Sequence, residues 1–354
     1  ETPATDQSET DYLARKGRFP KNHQNFHPNL HHECGSGLCN ANDDPICWQG
    51  FGPDVCYYDN ASGLSGNATY NPDQSTYSPY NNGGTGPLPQ NPGNGYMRKH
   101  TREWLVWYKK QMGFDGVRID AVKHFTNAAS EDFLYNLQQQ ADWADGGDQM
   151  FAVGEWVGDK TALDAWTTAV NNRSGTFDFN LRAFDGSGGL RGLIYGNGLF
   201  DLGNLPGAQQ NIRYIDYGAT RVHRTVPFIN NHDTYRPCLD ANGNIIGWKD
   251  GNNCHISCRR QDDDTCPNDE LSQHVDIREP RLGGAYAAMC AMDGNPQIFF
   301  EDLFNIANTG KRFTHQPENT LHLPENSDIA NIMLAHGALD FKGGDYKVPS
   351  NVSS

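Results

Sequence analysis

Three carboxylates close short apolar runs of this chain. Asp120 follows Gly116-Val117-Arg118-Ile119, Glu155 follows Phe151-Ala152-Val153-Gly154, and Asp233 follows Phe228-Ile229-Asn230-Asn231-His232. Singly, each reads as a loop carboxylate capping the next helix. Together, each beside other polar or aromatic side chains, they read as a site. Arg118 lies two residues before Asp120, so both side chains leave the same face of an extended strand. A guanidinium in that place pairs with the carboxylate and holds it ionised. Glu155 stands between Gly154 and Trp156. An apolar aromatic neighbour raises a carboxyl pKa, which suits a general acid. His232 adds a hydrogen-bond donor next to Asp233. An ionised carboxylate, a protonated one and a third polar group make a site of the kind that opens a glycosidic bond.

These side chains need a frame that brings strand ends together. Tyr96, His100, Trp104, Trp107 and Met112 recur at helical spacing between Pro92-Gly93 and Gly113, which predicts a helix over about 94–111. A short apolar strand over 116–122 comes next, then a helix over about 129–142. Residues 150–156 read as a second strand and 160–170 as a helix. Further strands are predicted at 176–181, 225–230 and 296–300, with a helix near 327–338. Short buried strands alternating with helices specify βα units and a parallel sheet. Polar residues stand at the carboxyl end of each strand, among them Asp178, Glu301 and Asp302. A closed (β/α)8 TIM barrel carries its active site there. An open α/β sheet also binds ligands at its strand ends, but normally through a Gly-rich phosphate turn. No Gly-x-Gly-x-x-Gly follows a strand here and no Gly-Lys-[Ser/Thr] loop occurs. Residues 1–92 have few periodic segments and read as a loop-rich subdomain, with 93–354 as the domain that bears the strands.

Composition narrows the partners. The chain has 354 residues and a formal net charge of -15, from 28 Lys+Arg against 43 Asp+Glu. That balance argues against nucleic acid, whose binding needs basic patches, and fits a neutral substrate. No apolar run is long enough to span a membrane. Nine cysteines fall as Cys34, Cys39, Cys47 and Cys56, then Cys238, Cys254, Cys258 and Cys266, with Cys290 alone. Two loop-rich groups of four predict disulfide staples in an oxidising compartment. Metal is the rival reading, since Cys254 and Cys258 are C-x3-C, but neither group has paired C-x2-C spacing. Cys290 sits in Ala-Ala-Met-Cys-Ala-Met and is expected to be a buried free thiol.

Three of these segments resemble motifs of the α-amylase family of glycoside hydrolases (family 13). Gly113-Phe114-Asp115-Gly116-Val117-Arg118-Ile119-Asp120-Ala121-Val122-Lys123-His124 resembles the motif of its fourth barrel strand. Val153-Gly154-Glu155-Trp156 resembles that of the fifth, and Phe228-Ile229-Asn230-Asn231-His232-Asp233 that of the seventh. Lys21 to Asn29 and Gly52-Pro53-Asp54-Val55-Cys56 look like the loop subdomain that the family inserts after the third strand. The resemblance implies an α/β fold, a (β/α)8 TIM barrel of which the fourth to eighth strands are recognisable. The chain starts where the post-third-strand loop would be under way. The first three strands, and the all-β domain that usually follows the barrel, are therefore expected to lie outside it.

The resemblance also implies roles. Asp120 matches the nucleophile, Arg118 the residue that keeps it charged, and Glu155 the general acid/base. Asp233 matches the third carboxylate, and His232 the histidine gripping the same sugar ring. Lys123 and His124 match positions on the leaving-group side, and Trp156, by its place next to Glu155, is a candidate sugar-stacking platform near the site. The carbonyl of His124 matches a calcium ligand, and Asp54 is the candidate side-chain ligand. The expected protein is a secreted, monomeric, calcium-containing hydrolase cleaving internal α-1,4-glucosidic bonds of starch-like α-glucans with retention. A cyclodextrin-forming or maltogenic transglycosylase, and a non-catalytic α-glucan-binding protein, are the alternatives.

Overall fold

The computed structural model describes residues 96–124, 127–140, 150–182, 189–195, 202–217, 220–234, 237–242, 245–250, 253–255, 274–275, 279–304 and 325–339. The expected subdomain of residues 1–92 lies outside them. The chain divides into two units. One runs to Trp156 and includes Ala165–Ser174; the other holds Val157–Asp164 and Gly175–Ser354.

In the first unit, amphipathic helices pack on a parallel strand pair. Helix α1 (Tyr96–Met112) ends where Gly113 adopts a left-handed φ of 65°. Gly113 N–H donates to Lys109 O at 2.8 Å, a stop that glycine makes without a Cβ clash. Strand β1 (Gly116–Ile119) follows. It is shorter than the predicted 116–122, because the chain turns at Asp120-Ala121 into a 3-10 turn, Val122–His124. Helix α2 (Asn127–Gln140) buries Ala129, Phe133, Leu134 and Leu137, the three- and four-residue spacing of one helix face. Arg102 of α1 pairs with Asp132 of α2 at 3.2 Å. Strand β2 (Phe151–Gly154) lies parallel to β1, with Ile119 opposite Gly154. Val122, Leu134, Leu137, Ala152, Trp166 and Val170 share one core, against which Val117 and Ile119 pack. Burying a Val, Leu or Ile side chain contributes roughly 1.5–3 kcal/mol, so this core fixes where the two strands end.

Helix α3 (Lys160–Ala169) starts at Asp159, whose carboxylate accepts Ala162 N–H at 2.8 Å as an N-cap. The boundary between the units falls within it.

The second unit runs through β3 (Gly175–Thr176), α4 (Phe179–Arg182), α5 (Leu190–Tyr195) and α6 (Leu205–Ala208). An antiparallel hairpin, β4 (Tyr214–Tyr217) and β5 (Thr220–His223), follows. An antiparallel meander comes next: β6 (Pro237–Leu239), β7 (Ile245–Asp250) and β8 (Asn253–His255). Helices α7 (Leu282–Cys290), α8 (Phe300–Leu303) and α9 (Ser327–Leu339) complete it. The predicted strand over 176–181 is corrected: it stops at the Phe177 bridge, and 179–181 belong to α4. Asp178 accepts Leu181 N–H at 2.9 Å and so nucleates a helical turn. Burial raises the Asp178 carboxyl to about 7, against hydrogen bonds from Leu181 and Gln210 N–H.

Residues 225–230 do not form a regular strand. Phe177 and Val226 form a parallel bridge, and Val226 N–H donates to Thr176 O at 3.0 Å. On the opposite edge, Asn295 and Gln297 N–H donate to Thr225 O and Pro227 O at 2.9 and 2.8 Å. The predicted strand over 296–300 therefore runs beside 225–230, but these two bonds do not build a ladder and Phe300 opens α8. Leu181, Ile194, Ile229, Leu282, Met289 and Ile329 lie in the core of this unit.

Cys290 is free and buried, and burial pushes its thiol up to about 11. Cys238 is disulfide-bonded; the first cysteine group lies outside the described residues. Among the described helices none is long and apolar enough to cross a membrane.

Candidate active site

Strands β1 and β2 end level, and their backbone pairing continues past both. Glu155 N–H donates to Ile119 O at 2.9 Å, and Val122 N–H donates to Glu155 O at 3.1 Å. Asp120 and Glu155 are delivered side by side. Gly154 lets the end of β2 lie on the core: a Cβ there would stand 2.7 Å from Cζ3 of Trp166, which is fully buried. Ala121 leaves β1 with φ of 49°, a left-handed conformation that costs a residue with a Cβ about 1–2 kcal/mol. It directs Ala121 N–H at Glu155 Oε2, 3.2 Å away. Strained backbone of this kind clusters at functional sites.

Arg118 touches both carboxylates. Its Nη1 is 2.6 Å from Asp120 Oδ1 and its Nη2 is 3.3 Å from Glu155 Oε2. The same-face placement expected of Arg118 and Asp120 is present, and the guanidinium reaches one strand further than the spacing foretold. The two acids sit differently: the Asp120 side chain is 71% exposed and that of Glu155 12%. Glu155 is raised to about 7, first by burial and then by its hydrogen bond with Asp120. The Asp120 charge also raises it, while Ala121 N–H and the Arg118 charge pull it down. Lys123 lies close by: burial lowers its pKa, and the Glu155 charge opposes that. Trp156 packs against the core beneath. The His124 backbone closes the 3-10 turn.

His232 and Asp233 belong to the second unit and form a separate group there. His232 Nε2 is 3.2 Å from Asp233 Oδ2. The turn that carries them is tied by Asn231, whose Oδ1 accepts Asp233 N–H at 3.0 Å and Thr234 N–H at 2.9 Å. Sequence reasoning placed Asn231 in the strand-end motif without a role, and missed Ala121 and Thr234. The Asn231-x-x-Thr234 spacing is a turn signal of its own, since both side chains bond to nearby backbone.

Calcium requires six to eight oxygen ligands. Of the two residues named for it, Asp54 lies outside the described residues and His124 offers a main-chain oxygen. Among the described residues no group of three or more His, Cys, Asp or Glu side chains converges. These residues do not by themselves make a calcium cage.

The arrangement pairs one exposed carboxylate on an arginine with one largely covered carboxyl whose pKa is raised to about 7, as acid–base chemistry at a polar bond requires. No family model matches the chain. Its similarities are to enzymes that act on α-glucans. It is 30% identical over 138 residues to glucan 1,4-alpha-maltohexaosidase of Bacillus sp. (strain 707), 38% of this chain and 23% of that protein. It is 26% identical over 150 residues to the alpha-amylase of Bacillus licheniformis, 42% of this chain and 25% of that one. It is 27% identical over 141 residues to the cyclomaltodextrin glucanotransferase of Niallia circulans, 40% and 17% respectively. The matched segments span a quarter or less of these relatives' length. The chain is therefore a distant, partial homologue of alpha-amylase-type enzymes.

Proposed function

We propose that the protein is a retaining glycoside hydrolase of the α-amylase family that cleaves internal α-1,4-glucosidic bonds of starch or related α-glucans. The Arg118-bridged pair carries this reading: Asp120 exposed, and Glu155 largely covered with a carboxyl near 7. Asp120 attacks the anomeric carbon while Glu155 gives its proton to the leaving oxygen. The bond from Asp120 Oδ to the sugar forms as the glycosidic C–O bond breaks. Glu155, now a carboxylate, then takes a proton from the water that releases the sugar from Asp120. An inverting pair is held about 6.5–9.5 Å apart to admit a water. One guanidinium, that of Arg118, reaches Asp120 at 2.6 Å and Glu155 at 3.3 Å, which supports the closer, retaining arrangement.

In this reading Asp233 and His232 grip the reacting ring, and Lys123, His124 and Trp156 line the leaving-group side. The strands belong to a (β/α)8 TIM barrel, residues 1–92 form a disulfide-stapled subdomain, and the protein is a secreted monomer. Calcium would take the His124 carbonyl and Asp54 as two of its oxygen ligands, with others to complete the set, and its part would be structural.

A transglycosylase is the second reading, because a cyclomaltodextrin glucanotransferase is among the relatives. It differs only in that a sugar hydroxyl, not water, takes the glycosyl group. A non-catalytic α-glucan binder is disfavoured by the retention of all three carboxylates.

Incubation of the full chain with soluble starch, with product analysis, separates these readings. Linear oligosaccharides are expected of the hydrolase, cyclic ones of the transglycosylase, and none of a binder. Asp120→Asn, whose amide cannot attack, is expected to lower turnover by about a thousandfold or more. A variant that keeps more than about a tenth of turnover removes Asp120 from the nucleophile role.

A further inference from the structure

The turn bearing His232 and Asp233 rests on a buried polar chain that the proposed reaction leaves unused. Asp302 starts it. Its Oδ2 accepts the Tyr286 hydroxyl at 2.7 Å and Asn230 Nδ2 at 2.8 Å. Asn230 also exchanges two hydrogen bonds with the backbone of Val275: Nδ2 to its O at 2.9 Å, and its N–H to Asn230 Oδ1 at 3.0 Å. This anchors the segment that carries His274. The His274 ring has Nε2 at 4.0 Å from Asp302 Oδ1 and Nδ1 at 3.2 Å from Thr234 Oγ1. Phe299 meets its edge, with ring centroids 5.8 Å apart. Thr234 Oγ1 in turn accepts Asn231 N–H at 3.0 Å and lies 3.0 Å from Asn231 O. Asn230, Asn231, Thr234, His274 and Asp302 are all buried, whereas His232 stands out at 66% side-chain exposure.

Such an arrangement costs more than an apolar core unless every member is satisfied. It also does what an apolar core does not: it fixes a short turn from below through directional bonds. The Thr234 hydroxyl closes the turn between Asn231 N–H and O, and His274 Nδ1 meets that hydroxyl from the buried side.

We propose that Thr234 and His274 are positioning residues, a clasp that sets the orientation of His232 and Asp233 without touching substrate. The proposal deepens the reading in which those two residues grip the sugar. Thr234→Val keeps the shape and deletes the hydroxyl; Thr234→Ser keeps the hydroxyl. In the full chain, Thr234→Val is expected to lower kcat on soluble starch by about tenfold or more, with KM much less changed. Thr234→Ser is expected to restore most of it. In a His232→Ala background the Thr234→Val change should cost little more, because residues acting as one unit are not additive. Additive losses, or no rescue by serine, overturn the clasp.

A readout independent of activity separates this from the functional reading. The His232 ring Cε1–H resonance should move in Thr234→Val and stay near wild type in Thr234→Ser. A starch-inert wild type whose His232 signal behaves so defeats the glycosidase reading and keeps the clasp. An unmoved signal defeats the clasp whatever the activity. If Thr234→Val does not fold, His274→Gln, which has no polar atom at the Nδ1 position facing Thr234, takes its place in the same measurements.

Discussion

Glu155 holds its proton because burial and Asp120 together outweigh the Ala121 N–H and the Arg118 guanidinium. Removing either partner therefore moves it in a foreseeable direction. Asp120→Asn takes away a negative neighbour, so the Glu155 carboxyl should fall from about 7 toward its ordinary 4.5. Arg118→Gln takes away a positive one, so it should rise. Carboxyl 13C titration reads both, and equal or reversed shifts would contradict these causes. The same displacement bears on stability. A folded-state pKa raised above the unfolded value means the native form binds the proton more tightly. The contribution is full at acid pH and is lost as pH rises from 4.5 through about 7. Denaturant midpoints measured across that window should show a loss that is smaller in Asp120→Asn. Proton donation also falls off above about 7, so kcat/KM should decline on that side. At this scale much was legible. The i, i+2 spacing put Arg118 beside Asp120, and Gly154 and Trp156 marked Glu155. The second grip of Arg118 was not, because it depends on the register between β1 and β2.

Elements explain why residues so far apart in sequence arrive together. Gly154 ends β2 against the buried ring of Trp166, so Gly154→Ala forces a methyl into occupied space. Overpacking of this kind costs about 1–3 kcal/mol. A lowered Tm is expected, with partial recovery when Trp166→Leu opens room; an unchanged Tm would show the strand free to shift. The helices of the first unit were legible from periodicity, as α1, α2 and α3 begin and end within a few residues of the predicted bounds. The first two strands were legible as short apolar runs. The later strands were not: Asp178 capping turned one into α4, and residues 296–300 make only sparse bonds to 225–230. The hairpin of β4 and β5 and the meander of β6 to β8 are short runs of mixed apolar and polar residues, and what makes them strands is antiparallel register between neighbours. The chain from Asp302 to Thr234 joins residues up to 72 apart, and no local pattern encodes such pairings.

At the scale of the whole molecule the cysteines give the sharpest test. Cys238 is bonded and Cys290 free. Intact mass with and without reductant is expected to show eight of the nine cysteines paired; nine free thiols would remove both the staples and the secreted assignment. Calcium is tested in the same sample: a chelator should lower Tm if an ion is held, and leave it unmoved if none is. Arg118, Asp120 and a protonated Glu155 together sum to zero charge, within a chain whose formal charge is -15. An uncharged sugar meets a locally neutral pair, so its uptake should scarcely respond to ionic strength. A carboxylated or sulfated polysaccharide meets the field of the whole chain instead. It should be turned away in dilute buffer and tolerated better as added salt shortens that field to about 3 Å at 1 M.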